Sequence, residues 1–406
     1  MSLSIVILIF AIGCKNINLD KDTKDNSYID DIEKPEEDIE VDMISEQIKG
    51  MTLEEKIGQL IIVGFEGANI NEEAINYIEN YKVGGFILFA RNIVDENQTL
   101  ELLNDLKEAN SNNDIPLFLS IDEEGGRVSR LPKAFIKLPE AIKLGNKNDN
   151  QVSYKFGRIL GERVKSLGFN VDFAPVLDIN SNPKNPVIGS RSFGSTVEVV
   201  VNNGIEVMMG IRDTKVVPAV KHFPGHGDTS IDSHVNLPRV EKSMEELKSF
   251  ELVPFVAAID KDIEMIMVAH ILYSDIDKDH PATMSPKLIQ GLLRDELGYD
   301  GVVVSDDMTM GAVIENYSLE DGTLSFIKAG GDIALICHGK ENPGKVIEKI
   351  KEAVNSGILS EGDIDQKIYR ILKLKEKYDL EDNIIQQIDL RTLNDSTREL
   401  IEEISK

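Results

Sequence analysis

The sequence predicts an α/β fold, a (β/α)8 TIM-type barrel standing as a single domain. Three observations predict it. Eight short apolar runs recur along the chain, and they are continuous rather than alternating, as strands covered on both faces are. Amphipathic helical segments separate them, the β-then-α order of a parallel barrel. Polar side chains close several of the runs, and barrel sites form where strands end. A doubly wound open sheet is the alternative. It would carry a Gly-rich phosphate loop after an early strand, and no G-x-G-x-x-G or Walker sequence occurs.

The first element lies outside the barrel. Ile5 to Gly13 is apolar, too short to span a bilayer and of the length of a signal-peptide core. It leads into Ala11-Ile12-Gly13-Cys14, which resembles a bacterial lipobox. Residues 1–14 are therefore read as a signal peptide whose Cys14 is lipidated. No Lys or Arg precedes the run and Ala11 stands where Leu is commoner, so an ordinary cleaved signal peptide is the alternative. Residues 15–43 are dense in Asp, Glu, Lys and Asn. They bury too little to offset ordering entropy, which predicts a disordered acidic tether.

The folded part opens near Met43. Thr52-Leu53-Glu54-Glu55 reads as a capping box, with a helix starting at Met51 or Thr52. The first four predicted strands are Ile61–Phe65, Gly85–Ala90, Pro116–Asp122 and Val171–Ile179. The other four are Val216–His222, Glu264–His270, Gly301–Asp306 and Asp332–His338. Helical patterns between them cover Asn97–Asn110, Tyr154–Leu167, Val197–Arg212 and Ser285–Leu297. Two more follow over Pro343–Asn355 and through Arg370–Lys377. The barrel domain is placed at residues 44–380 and a helical tail at 381–406.

Charge excludes some partners. The chain has 71 acidic and 44 basic residues, a net charge of -27. Such a field repels phosphate backbones, so nucleic acid is not a partner on this reading. Two cysteines, Cys14 and Cys337, make no disulfide framework, and Cys337 sits in an apolar run as a buried thiol.

Candidate functional residues cluster at strand ends: Asp122, Asp178, Lys221-His222, His270, Asp306 and His338. Each alone could be a helix cap or an ion-pair partner; six converging by topology make a site. The densest segment is Lys221-His222-Phe223-Pro224-Gly225-His226-Gly227-Asp228, followed by Ile231-Asp232-Ser233-His234. Pro and Gly make it an irregular loop leaving a strand, a place where function concentrates. His222, His226 and His234 with Asp228 or Asp232 could supply zinc ligands, but the spacing is no standard zinc pattern and Lys221 sets a positive charge beside them.

That segment resembles glycoside hydrolase family 3, in its β-N-acetylhexosaminidase branch. Leu292-Leu293-Arg294-Asp295-Glu296 with Gly301-Val302-Val303-Val304-Ser305-Asp306 is similar to the stretch around the family nucleophile. Asp122–Arg130, Phe173–Asp178 and Arg191-Ser192-Phe193-Gly194 are similar too, in family order, over about Ile44 to Tyr378.

The resemblance implies a (β/α)8 catalytic domain and an exo-acting, retaining β-N-acetylglucosaminidase. Asp306 would be the nucleophile, His234 the acid/base and Asp232 its orienting partner. Asp122, Arg130, Arg191, Lys221 and His222 would bind the sugar. An imidazole titrating near neutrality suits a group that donates and then accepts a proton. Asp307 points to the other face of its strand, and which of the two acids faces the mouth is set by the family pattern. Asp178 is expected to support the site by pairing with Lys221, and His270 and His338 either to line the mouth or to serve a structural role. No metal or other cofactor is implied. The expected partners are β-GlcNAc-terminated glycans or muropeptides and, through Cys14, the outer face of a bacterial membrane, with the protein a monomer. Alternatives on the same fold are a β-glucosidase, a broad hexosaminidase or a GlcNAc phosphorylase. The alternative of another class is a non-catalytic glycan-binding surface lipoprotein.

Overall fold

The computed structural model describes residues 42–229, 233 and 236–406. The signal peptide, Cys14, nearly all of the tether, and Asp232 and His234 lie outside the described residues. The first described helix, Met43–Gly50, is capped by the Asp42 side chain. Thr52 and Glu55 form the capping box read from sequence, and the helix Leu53–Gln59 begins just after Thr52.

Eight parallel strands close into a barrel. They are β1 Ile61–Val63, β2 Gly85–Leu88, β3 Phe118–Ile121 and β4 Val171–Asp172. They continue with β5 Val217–Phe223, β6 Met265–Val268, β7 Val302–Asp307 and β8 Ile333–Ile336. Every strand pairs with its neighbours in sequence, and β8 closes on β1 through Ile61↔Ala334. All eight predicted runs contain a strand, mostly shorter than the run. The largest difference is β4, two residues long where the run extends to Ile179. Pro175 has no N–H to continue the ladder, and beyond it the pairing with β5 is reduced to an isolated bridge between Val176 and Lys221.

Helices cover the outside. Asn150–Leu167 and Val197–Arg212 pack closely because Gly157 and Gly210 carry no side chain; a Cβ on Gly157 would stand 2.1 Å from the Val207 carbonyl oxygen. The segment read as Ser285–Leu297 is a wide helix over Lys287–Glu296, with Gly291 N–H bonding the Pro286 carbonyl.

The N-terminal end of the barrel is closed by Lys375, from the helix Glu361–Lys377. Its ammonium donates to Gln59 Oε1 (2.7 Å), the Pro116 carbonyl (2.7 Å) and the Gly84 carbonyl (3.2 Å), and lies 4.5 Å from the Phe118 ring centroid. Asp382 then accepts from Asn110 Nδ2 and the Leu117 N–H, tying the following segment across the same end. The chain finishes in the helix Leu390–Ser405, which packs on Asn150–Leu167.

Candidate active site

The C-terminal strand ends carry the chemistry. Lys221 and His222 stand just before Phe223, the last residue of β5, and Asp122 follows β3 directly. Lys221 is 2 % exposed, and its Nζ lies 2.6 Å from Asp122 Oδ1 and 2.8 Å from Glu124 Oε1. Glu124 also receives a two-pronged bond from Arg191, Nε to Oε2 at 2.8 Å and Nη2 to Oε1 at 2.6 Å. This fork is the strong form of a charged hydrogen bond. Burial pushes the Lys221 ammonium down, but the carboxylates of Asp122 and Glu124 outweigh it and hold the lysine above its ordinary range. Burial likewise pushes Glu124 up, and Arg191 with Lys221 overrides it, so Glu124 stays ionised far below the usual carboxylate range. The wall is thus a ladder of fixed charges with donors and acceptors alternating, suited to a polyhydroxylated ring.

A second limb starts at His222. Its Nδ1 lies 2.6 Å from Asp178 Oδ2, and Asp178 Oδ1 accepts the His226 N–H at 2.6 Å. This corrects the pairing expected from sequence: Asp178 holds His222 and His226, while Lys221 goes to Asp122 and Glu124. Bonding to Asp178 through Nδ1 turns His222 Nε2 toward Arg191, 3.4 Å away, and toward the cavity. Burial raises Asp178 and the two histidines lower it by more, so it remains charged. His226 is pushed down to about 4 by burial and by His222, so it is neutral near pH 7. Its Nδ1 meets Thr229 Oγ1 at 2.7 Å and its Nε2 meets Ser233 Oγ at 3.2 Å. The Ser233 carbonyl accepts the Ala312 N–H at 3.1 Å, linking the loop after β5 to the one after β7.

Asp306 and Asp307 end β7, and both reach the cavity. Asp307 is occupied as scaffolding: Oδ1 accepts from Thr309 N–H (2.9 Å), Thr309 Oγ1 (2.6 Å) and Cys337 N–H (3.2 Å). The cavity has a volume of about 180 Å³ and is floored by Ile87, Met267 and Leu335. Asp306 and the Asp122–Lys221–His222 wall line it together.

Of the sugar-binding residues expected from sequence, Asp122, Arg130, Arg191, Lys221 and His222 all line this one cavity with Asp306. Arg130 is presented by its neighbours: buried Glu123 accepts the N–H groups of Arg130 and Leu131 and the Ser129 hydroxyl, folding the loop back. The Arg130 guanidinium has no hydrogen bond or ion pair among the described residues, so it is free to meet a ligand. His338 lines the cavity, whereas His270 is buried against Thr283 Oγ1 and the Asp307 carbonyl. Cys337 is a buried thiol, as read. Among the described residues no group of His, Cys, Asp and Glu is placed to hold a metal ion.

Sequence reasoning missed Glu124 as a keystone. The signal was there: Asp122-Glu123-Glu124 leaves a strand, where residues two apart share a face. Asp122 and Glu124 both meet Lys221, and buried Glu123 turns away to the Arg130 loop.

Comparison with known proteins agrees with this arrangement. Residues 52–374 match the glycosyl hydrolase family 3 N terminal domain. β-Hexosaminidase A of Pseudoalteromonas piscicida is 36 % identical over 75 % of this chain, and the chain spans about half, 55 %, of that longer protein. A β-hexosaminidase of Methylococcus capsulatus is 32 % identical over 71 % of this chain and 86 % of its own. A solved family 3 β-N-acetylglucosaminidase from Paenibacillus sp. FPU-7 superposes with a TM-score of 0.84 at 40 % identity, covering 87 % of this chain and 68 % of that one.

Proposed function

The chain belongs to glycosyl hydrolase family 3, in its β-N-acetylhexosaminidase branch, and we propose that it is an exo-acting, retaining β-N-acetylglucosaminidase. One observation carries the reading. A small cavity at the C-terminal end of the barrel sets the Asp306 carboxylate in the same space as a wall of charged hydrogen-bonding groups. That is what a single terminal sugar needs: a wall for its hydroxyls and a nucleophile for its anomeric carbon.

In the proposed reaction Asp122, Arg130, Arg191, Lys221 and His222 hold the ring hydroxyls. Asp306 attacks C1 and the glycosidic C–O bond breaks, with the proton for the leaving oxygen coming from His234. Water, deprotonated by the same imidazole, then cleaves the ester and restores Asp306. Asp232 orients His234, by the logic that a carboxylate on one ring nitrogen fixes the tautomer. The substrates proposed are β-GlcNAc-terminated wall fragments. The location proposed is the outer face of the cytoplasmic membrane, through a lipid on Cys14, with the enzyme acting as a monomer.

The test is release of 4-nitrophenol from its β-N-acetylglucosaminide, with the product anomer followed by NMR. The expected result is turnover with β-anomer formed first, lost in Asp306→Ala and strongly reduced in His234→Ala. A folded wild type inert on this substrate and on the β-glucoside, yet binding wall fragments, would make it a glycan-binding protein instead. Turnover that requires phosphate would make it a phosphorylase. Mature protein shielded from added protease in intact cells would sink the location.

A further inference from the structure

The cavity accommodates the terminal sugar, so in an exo-acting enzyme the leaving group must lie at its mouth. Two rings stand there. Phe89 follows β2 directly, and His338 lies just past β8. Both line the cavity, and their centroids are 5.7 Å apart with planes at 29°, a stacked pair. Phe89 is half-buried at the edge of the core, and the His338 side chain is 54 % exposed. His338 Nε2 lies 3.8 Å from Asp307 Oδ2, too far for a hydrogen bond.

The stack is held from behind. The Arg91 guanidinium lies 4.6 Å from the Phe89 centroid. Arg91 is itself fixed by the Phe65 carbonyl (3.0 Å), the Cys337 carbonyl (2.7 Å) and Glu66 (3.1 Å). Those partners come from the ends of β1 and β8, so the ends of three adjacent strands are locked together under the rings. Asp307 adds a further tie by accepting the Cys337 N–H. A surface fixed in this way loses little conformational entropy when a ligand lies on it. The chain contains no Trp, so an aromatic platform at the mouth has to be built from other rings.

We propose that Phe89 and His338 form a leaving-group subsite, a platform for the apolar face of the pyranose next to the scissile bond. The exposed imidazole supplies the stacking face and a nitrogen for a ring hydroxyl. This rests on the glycosidase reading above.

The experiment compares kcat/KM on two donors that share the terminal sugar. Chitobiose leaves as a pyranose, whereas N-acetyl-β-glucosaminyl fluoride leaves as an ion with no ring to stack. His338→Ala alters an exposed side chain and tests the platform without threatening the fold; Phe89→Leu tests its inner layer. Each is expected to lower kcat/KM for chitobiose about three- to tenfold more than for the fluoride. Equal losses on both donors would assign the rings to the terminal sugar and overturn the proposal, as would no loss on chitobiose. A wild type inert on both donors would overturn the glycosidase reading itself, an outcome separable from the others because it appears before any variant is made.

Discussion

Two lysines are buried at opposite ends of one barrel, Lys221 at 2 % exposure and Lys375 at 3 %. Burial pushes both ammonium groups toward the neutral form, yet they end in opposite places. Lys221 meets two carboxylates and is held above its ordinary range. Lys375 meets only neutral oxygens, with Asp382 as a weaker, more distant charge, and is pushed down to about 7. The catalytic end therefore spends its charges on one another and keeps them fixed for a ligand. The opposite end uses its lysine as a hydrogen-bonding plug for strand-end carbonyls. This matches the division of labour in barrels, with function at the C-terminal face and stability at the other.

The largest expected effect comes from breaking the charged end. Lys221→Met leaves Asp122 without its cation and Glu124 with Arg191 alone in a buried site, which costs about 3–5 kcal/mol of stability. Denaturant unfolding reads this as a lower midpoint, with turnover lost as well. If Lys221→Met were as stable as wild type, the charged wall would not be the electrostatic unit described. Glu124→Gln is gentler. It keeps the shape but removes the charge that Arg191 and Lys221 share, and KM is expected to rise about ten- to hundredfold. An unchanged KM would show that Asp122 alone organises the wall.

The opposite end yields a smaller effect with a different pH signature. Lys375→Met leaves neutral acceptors unpaired and costs about 1–3 kcal/mol near pH 7. In wild type the folded lysine releases its proton near pH 7, whereas the unfolded chain holds it to about 10.4. Between those values the unfolded state binds more protons, so this group makes stability rise with pH, by about 1.4 kcal/mol per unit at most. Lys221 runs the other way: its folded value is raised, and its stabilisation is complete below the unfolded pKa and fades only at higher pH. Stability of wild type and Lys375→Met, measured from pH 7 to 9, should differ by that slope. Parallel curves would mean that Lys375 stays charged among its three acceptors.

The same comparison shows what a sequence can reveal. Parallel strands buried on both faces leave continuous apolar runs, so all eight were legible. The overextended fourth run failed at Pro175, where an apolar stretch outlasts the ladder. Asp306, Asp122, Lys221 and His222 were legible because a barrel gathers whatever stands at its strand ends. Asp178 was visible but its partner was not, because the irregular chain after β4 has no period from which to read direction. Lys375 was invisible. It sits between Lys373 and Lys377 on a charged helix, and only tertiary packing turns one of the three into a plug.

The smallest effect probes the neutral limb of the catalytic end. His226, like Lys375, is driven toward its uncharged form by burial, and it links Thr229 to Ser233. Ser233 is also tied through its carbonyl to Ala312, beyond β7. In sequence it stands between His234, the proposed acid/base, and its partner Asp232. Ser233→Ala removes one hydrogen bond and leaves the charged wall intact. The expected loss is about two- to tenfold in kcat with little change in KM, and Ser233→Thr should restore most of it. A rise in KM with kcat unchanged would place Ser233 with the charged wall, and would dissolve the distinction between a limb that binds and a limb that positions.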